Sequence, residues 1–146
     1  MERETQSFAN HTRHYWLFHF TASPLLALYA MYAIYALLRA PSLATAANVV
    51  LAAGVNASLF AARNMVLAVQ NRLIRLEMQM RLERVLGAAA AADAIAKLPL
   101  GRVIALRFAS DAELQPLIVR ALANEFKSSA ELKRAIREWQ PDYLRA

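Results

Sequence analysis

The 146-residue chain has no cysteine, only three glycines, and no histidine beyond position 19. Without cysteine there is no disulfide framework, thiolate metal site or thiol nucleophile, and nothing points to an oxidising compartment. Gly54, Gly87 and Gly101 stand alone, so no glycine-rich loop exists to cradle a phosphate. The histidines are His11, His14 and His19, and no serine of the later chain has an imidazole near it in sequence. The acids Asp93, Asp111, Glu113 and Asp142 fall where helix starts and turns use them, and no hydrolase or kinase constellation emerges. Charge is also missing from Leu43 to Ala62, where none occurs.

A stretch of about 20 residues that is apolar all round matches the hydrocarbon thickness of a bilayer. Past Ala62 the chain continues without proline or glycine through RNMVLAVQNRLIRLEMQMRLERVL, which keeps helical periodicity. One helix is therefore expected from Leu43 to Leu86, apolar in its first half and charged in its second. An earlier apolar run, Trp16 to Leu38, is about 34 Å long as a helix. It opens with YWLFHF, an aromatic cluster of the kind that settles at a membrane interface, with Tyr15, Trp16 and His19 as anchors. Pro24 lies inside this run, and a kink is expected near Thr21 to Ser23, with a freed carbonyl open to a hydroxyl or water. The triplet Ala44-Thr45-Ala46 resembles a signal-peptidase site. The apolar part is, however, well beyond a signal core and carries Tyr29, Tyr32 and Tyr35, so a retained span is expected.

Only Arg39 to Ser42 joins the two runs, and four residues can link only antiparallel neighbours. The expected fold is an all-α membrane protein: a transmembrane hairpin with spans near 16–38 and 43–62, a second helix extended into the cytoplasm, and a small bundle of short helices. In domain terms, 1–14 is a cytoplasmic segment, 15–62 the hairpin and 63–146 a cytoplasmic helical domain. From Arg63 onward 14 Lys and Arg face 9 acids, against one Arg in the turn, which places both termini in the cytoplasm by the positive-inside rule. The net charge of +6 has the same origin. Its basic residues are scattered among acids and form no stripe that fits nucleic acid.

The second span is rich in small residues. Gly54, Ser58 and Ala62 repeat every four positions, as do Ala53, Ala57 and Ala61, and such stripes admit close approach of another helix. Asn48 and Asn56 place amides where lipid exposure is costly, so each is expected at a helix interface. Gly54 and Asn56 point in different directions, so one is assigned to the first span and the other to a second protein. Arg63 closes the apolar run and can snorkel to the phosphates. Beyond it Val69, Leu73, Leu76 and Met80 form one seam, and Ile74, Met78, Leu82 and Val85 a second. Glu77 and Arg81 have the spacing of a helical ion pair. Two seams imply more than one packing partner, or one seam resting on the bilayer surface.

Gly87 ends the long helix. Leu100 to Phe108 has strand-like composition but no second strand to pair with, so a helix is expected. Ser110 with Glu113, and Ser128 with Glu131, have capping-box spacing. The second box opens a helix through Leu132, Ile136 and Trp139 that Pro141 stops, leaving PDYLRA as a tail whose Asp142 and Tyr143 fasten it.

His11 and His14 would share a helix face that suits a metal, with Glu2 or Glu4 adding a carboxylate. An unanchored terminus does not fix ligands, and no later histidine completes a set, so no metal or other cofactor is assigned. Haem held by two histidines of one chain is not expected, because the second span has none to face His19. The imidazoles instead serve interfacial hydrogen bonding.

SFANHTRHYWLFHF before the first span, NRLIRLEMQMRLERVL after the second, then ALRFASDAEL and EWQPDYLR resemble the landmarks of an uncharacterised bacterial family of short two-span membrane proteins. The resemblance implies a bacterial inner-membrane protein with a two-span topology and a cytoplasmic helical domain, and it supplies no activity. The expected function is a non-catalytic accessory subunit docked to a larger membrane assembly, such as a respiratory or photosynthetic complex. The alternative is a homo-oligomer that uses Met65 to Leu86 as a coiled coil in signalling or stress response. A small transporter or lipid-active protein is the third class, and two helices alone cannot enclose a channel. The expected partners are the bilayer and other membrane subunits or a second copy; no small-molecule substrate is identified.

Overall fold

A computed structural model of the chain describes residues 6–11 and 15–142. Among these residues the structure is all helical, with no strand and one isolated antiparallel bridge between Ala109 and Trp139. A π-helical stretch, Leu17–Ala22, leads into α1, Ser23–Arg39. Then come α2 (Leu43–Leu86), α3 (Ala88–Lys97), α4 (Leu100–Leu106), α5 (Asp111–Leu122) and α6 (Ser129–Arg134). Two helices, Leu17–Arg39 and Leu43–Leu86, are long and apolar enough to cross a membrane. The chain forms two compact units, one of residues 14–68 and one of 1–13 with 69–145.

In the hairpin unit, the expected kink before Pro24 is a π-helical widening. Proline has no N–H for the preceding turn and its ring crowds the carbonyl four residues back, and an extra residue per turn relieves both. The Ser23 N–H reaches the Phe18 carbonyl five residues earlier, while the Ser23 hydroxyl is buried and has no partner among the described residues. At the turn, the Ser42 hydroxyl accepts from the Thr45 N–H at 3.1 Å and Thr45 Oγ1 accepts from the Ser42 N–H at 2.9 Å. This reciprocal pair satisfies first-turn donors and starts α2 at Leu43. Ala33 and Ala52 are buried between the two helices.

The helical unit is built on the C-terminal half of α2. α2 runs unbroken to Leu86 because no residue between Arg63 and Leu86 removes a hydrogen bond or takes a positive φ. Gly87, at φ +84°, breaks it, and α3 begins at the next residue. Such a φ is strained for any residue with a Cβ. Ile74, Met78 and Leu82 enter a core with Val103, Leu106, Phe108, Leu114 and Leu132. Leu82, Leu106, Phe108, Leu114 and Leu132 are wholly inaccessible to solvent.

Leu100–Leu106 is helical, and the chain then straightens at Phe108 and Ala109 to meet Trp139. The last helix is shorter than the spacing predicts. It ends at Arg134, because Glu138 and Gln140 make long-range backbone bonds instead of continuing the helix. Ser110 N–H donates to the Glu138 carbonyl at 3.1 Å and Gln140 N–H to the Phe108 carbonyl at 2.7 Å. The Trp139 indole stacks on Phe108 with ring centroids 4.6 Å apart. Both capping serines accept as expected, Ser110 from Glu113 N–H and Ser128 from Glu131 N–H. The glutamates do not reach back to the serines. Glu131 accepts from Lys127 N–H at 2.6 Å, and Glu113 from Arg137 and Glu138 N–H at 2.9–3.2 Å.

Three arginines complete the unit. Arg81 donates to Asp111 at 2.6 Å and to the Arg107 and Ala109 carbonyls, so the expected pairing with Glu77 gives way to a bond 30 residues along the chain. Arg102 donates to the carbonyls of Ala121 and Phe126 and to Asn124, satisfying acceptors left open at the end of α5. Arg107, nearly buried, lies 3.2 Å from the Asp142 carboxylate with its guanidinium over Phe108.

Candidate interaction surfaces

In the hairpin unit, Asn56 faces the first span. Its amide donates to the Ala52 carbonyl at 2.8 Å and approaches the Leu26 carbonyl of α1 at 3.4 Å. Gly54, Ser58 and Ala62 are exposed on a different face, and a Cβ added at Gly54 would meet nothing within 4 Å. The stripe is thus not used inside the hairpin. Asn48 is exposed as well and has no hydrogen-bond partner among the described residues. The apolar side chains are uncovered along both helices: Phe20, Leu28, Tyr32 and Leu38 on one, Val50, Leu51 and Phe60 on the other. Only 6% of each apolar window is buried, the opposite of a core helix in a soluble protein.

At the end of the hairpin unit away from the turn, Tyr15, Phe18, Leu59, Ala62, Arg63 and Val66 line an open groove of about 300 Å³. The Arg63 guanidinium sits 4.7 Å from the Phe18 ring centroid, and Phe18 meets Phe60 edge to face. Of the expected anchors, Tyr15 and Trp16 are exposed, and His19 is half-buried with Nδ1–H donating to the Tyr15 carbonyl at 3.0 Å.

In the helical unit, the two seams of α2 separate completely. Ile74, Met78 and Leu82 retain 5%, 2% and 0% exposure, whereas Val69, Leu73, Leu76 and Met80 retain 66%, 54%, 53% and 56%. The covering helices α3 to α6 meet one face of α2 and leave the other open.

Residues 6–11 are held to this unit. His11 Nδ1–H donates to the Phe8 carbonyl at 2.7 Å, leaving Nε2 to accept from the Lys133 ammonium at 3.0 Å. Its ring lies against Phe108 and Trp139, and Gln6 accepts from the Asp142 N–H. Both His11 nitrogens are thus engaged by protein groups. His14, Glu2, Glu4 and Tyr143 lie outside the described residues. Among the described residues no group of three or more His, Asp or Glu could hold a metal.

The acids assigned from sequence to helix starts and turns are also structural ties. Asp111 takes Arg81 and Arg84, Asp93 takes Lys97, and Asp142 takes Arg107. The hydrogen bond from Arg81 holds the Asp111 carboxyl below the usual carboxylate range, against an opposing effect of burial and with the charges of Arg81 and Arg84 helping. A cavity of about 170 Å³ bounded by Ile74, Glu77, Met78, Arg81, Arg107 and Asp142 lies among these ties. An acid committed to an arginine is poorly placed to move a proton.

Two exposed apolar helices and a unit of short helices make up the chain. The chain belongs to DUF6526, a family of unknown function. The match covers residues 1–146. For this DUF6526 member no curated protein and no solved structure matches. Membership in DUF6526 supplies no activity.

Proposed function

We propose that this chain is a two-span integral membrane protein of the bacterial inner membrane, with both termini cytoplasmic, acting as a non-catalytic accessory subunit of a larger membrane assembly. The observation that carries it is what the second span leaves exposed: Asn48 without a partner among the described residues and, on an adjoining side, the small-residue stripe Gly54, Ser58 and Ala62. An amide facing lipid costs free energy that a helix interface recovers, and small residues let that helix come close. Arg63 and the groove beside it suit the interface, where a guanidinium meets lipid phosphates and an apolar cleft takes chain or ring. The acids tied to arginines give the helical unit the character of a packing module.

Extraction in mild detergent followed by native electrophoresis should place the protein in a particle much larger than 16.3 kDa. Asn48→Leu or Gly54→Leu should release it from that particle, each weakening association by about 1 kcal/mol, or roughly fivefold. Asn56→Leu acts within the hairpin and should leave docking nearly intact. A particle that survives both outward-facing substitutions unchanged refutes this docking face.

A further inference from the structure

We infer that the open seam of α2 is the contact between two copies of this chain, packed as a parallel two-stranded coiled coil. The inference rests on the membrane-subunit reading above and names the partner of one of its surfaces. Val69, Leu73, Leu76 and Met80 follow one another at intervals of four, three and four, the spacing of alternating d and a positions. All four are more than half exposed, and the seam that shares their helix is already buried in the domain core. The helix is therefore preformed and supported from behind before any partner arrives, which removes the ordering cost that makes a seam of about 17 Å too short to associate on its own.

Charge settles the occupant and its direction. In this register Arg72 takes a g position and Glu77 the following e position, five residues on. Both are exposed, and neither has a partner among the described residues. In a parallel pair, g of one helix meets the following e of the other, so Arg72 of each copy faces Glu77 of the second copy, twice by symmetry. The sequence is thus complementary to itself across this seam. Two copies inserted alike in one bilayer already run parallel, and confinement to the membrane raises their effective concentration. The polar residues Glu83 and Arg84 close the seam after Met80, and Arg84 turns toward Asp111.

Because the chain has no cysteine, single-cysteine variants report contacts without background. In native membranes carrying the full chain, Leu73→Cys should form a self-disulfide under mild oxidation. Positions facing each other across such a pair lie near the Cα separation a disulfide needs, about 4.4–6.8 Å. Ala92→Cys, exposed on α3, should not. Added to Leu73→Cys, Arg72→Glu or Glu77→Arg should each lower dimer yield about 3- to 10-fold, and the two together should restore it. Absence of self-adducts from protein that resists carbonate extraction overturns the dimer and leaves the membrane reading standing; a lipid-covered seam or a different protein on it gives that result. Adducts without rescue by the charge exchange overturn the parallel pairing. Release of the chain by carbonate overturns the membrane reading itself.

Discussion

Replacing Leu82 with alanine removes a side chain that is 0% exposed and sits where α2 meets the shorter helices. The loss of three carbon groups at about 0.8 kcal/mol each gives about 2.4 kcal/mol from transfer alone. The cavity left among Leu106, Phe108, Leu114 and Leu132 raises the cost, because a core tied by Arg81 and Arg102 has little room to collapse; about 3–5 kcal/mol is expected. For a unit of this size each kcal/mol moves the midpoint by roughly 4–8 °C, so the transition should fall by about 12 °C or more. Trp139, stacked on Phe108, reports on this unit, and a Trp16→Phe background silences the other tryptophan. Thermal melts followed by tryptophan fluorescence in mild detergent then compare Leu82→Ala with Val119→Ala, whose side chain is 61% exposed on α5. The second change should stay within about 0.5 kcal/mol. If Leu82→Ala shifts the midpoint by less than about 3 °C, or no more than Val119→Ala, the assignment of this seam to the core is wrong.

Glu113→Ala should free the Arg137 and Glu138 amides, raising their hydrogen-exchange rates about tenfold and costing about 1–2 kcal/mol overall. Unchanged protection at both amides would show that the carboxylate does not hold this segment. For Asp111, a carboxyl held below its usual range in the folded chain stabilises it at pH above the unfolded value, about 3.9, and loses that contribution as the pH falls through the lowered one. Wild type should therefore melt slightly above Asp111→Asn near neutral pH, by under about 1 kcal/mol given the exposure of the carboxylate, and the gap should close on acidification. A gap that widens in acid contradicts the sign.

The long helix was legible because its determinants are local: an apolar run of bilayer length, then unbroken helical periodicity to Leu86, with Gly87 at the stop. The two seams were legible as seams, but not which one the protein buries. Leu73 and Ile74 are adjacent and similarly apolar, and only the long-range packing of Phe108, Leu114 and Leu132 decides that Ile74 goes in and Leu73 stays out. Distance along the chain explains the other differences. Glu113 and Trp139 have local readings, as a capping partner and a helix residue, that are overridden by partners 25 and 30 residues away, respectively. Arg81 could not be seen leaving Glu77, because Asp111 joins it only once α5 has docked. In the hairpin unit, Asn56 and Gly54 were separable by helical angle alone, and α1 meets the face that carries Asn56.

The clasp of residues 6–11 on the helical unit has a consequence in time. His11 meets Lys133 across 122 positions, and Gln6 meets Asp142 across 136. At ribosomal rates of about 5–20 residues per second, roughly 6–25 s separate the emergence of these partners. The apolar hairpin is made within that interval, so under the proposed membrane function its insertion precedes closure of the clasp. A synonymous slow-down of translation late in the message would lengthen the wait without altering a single contact.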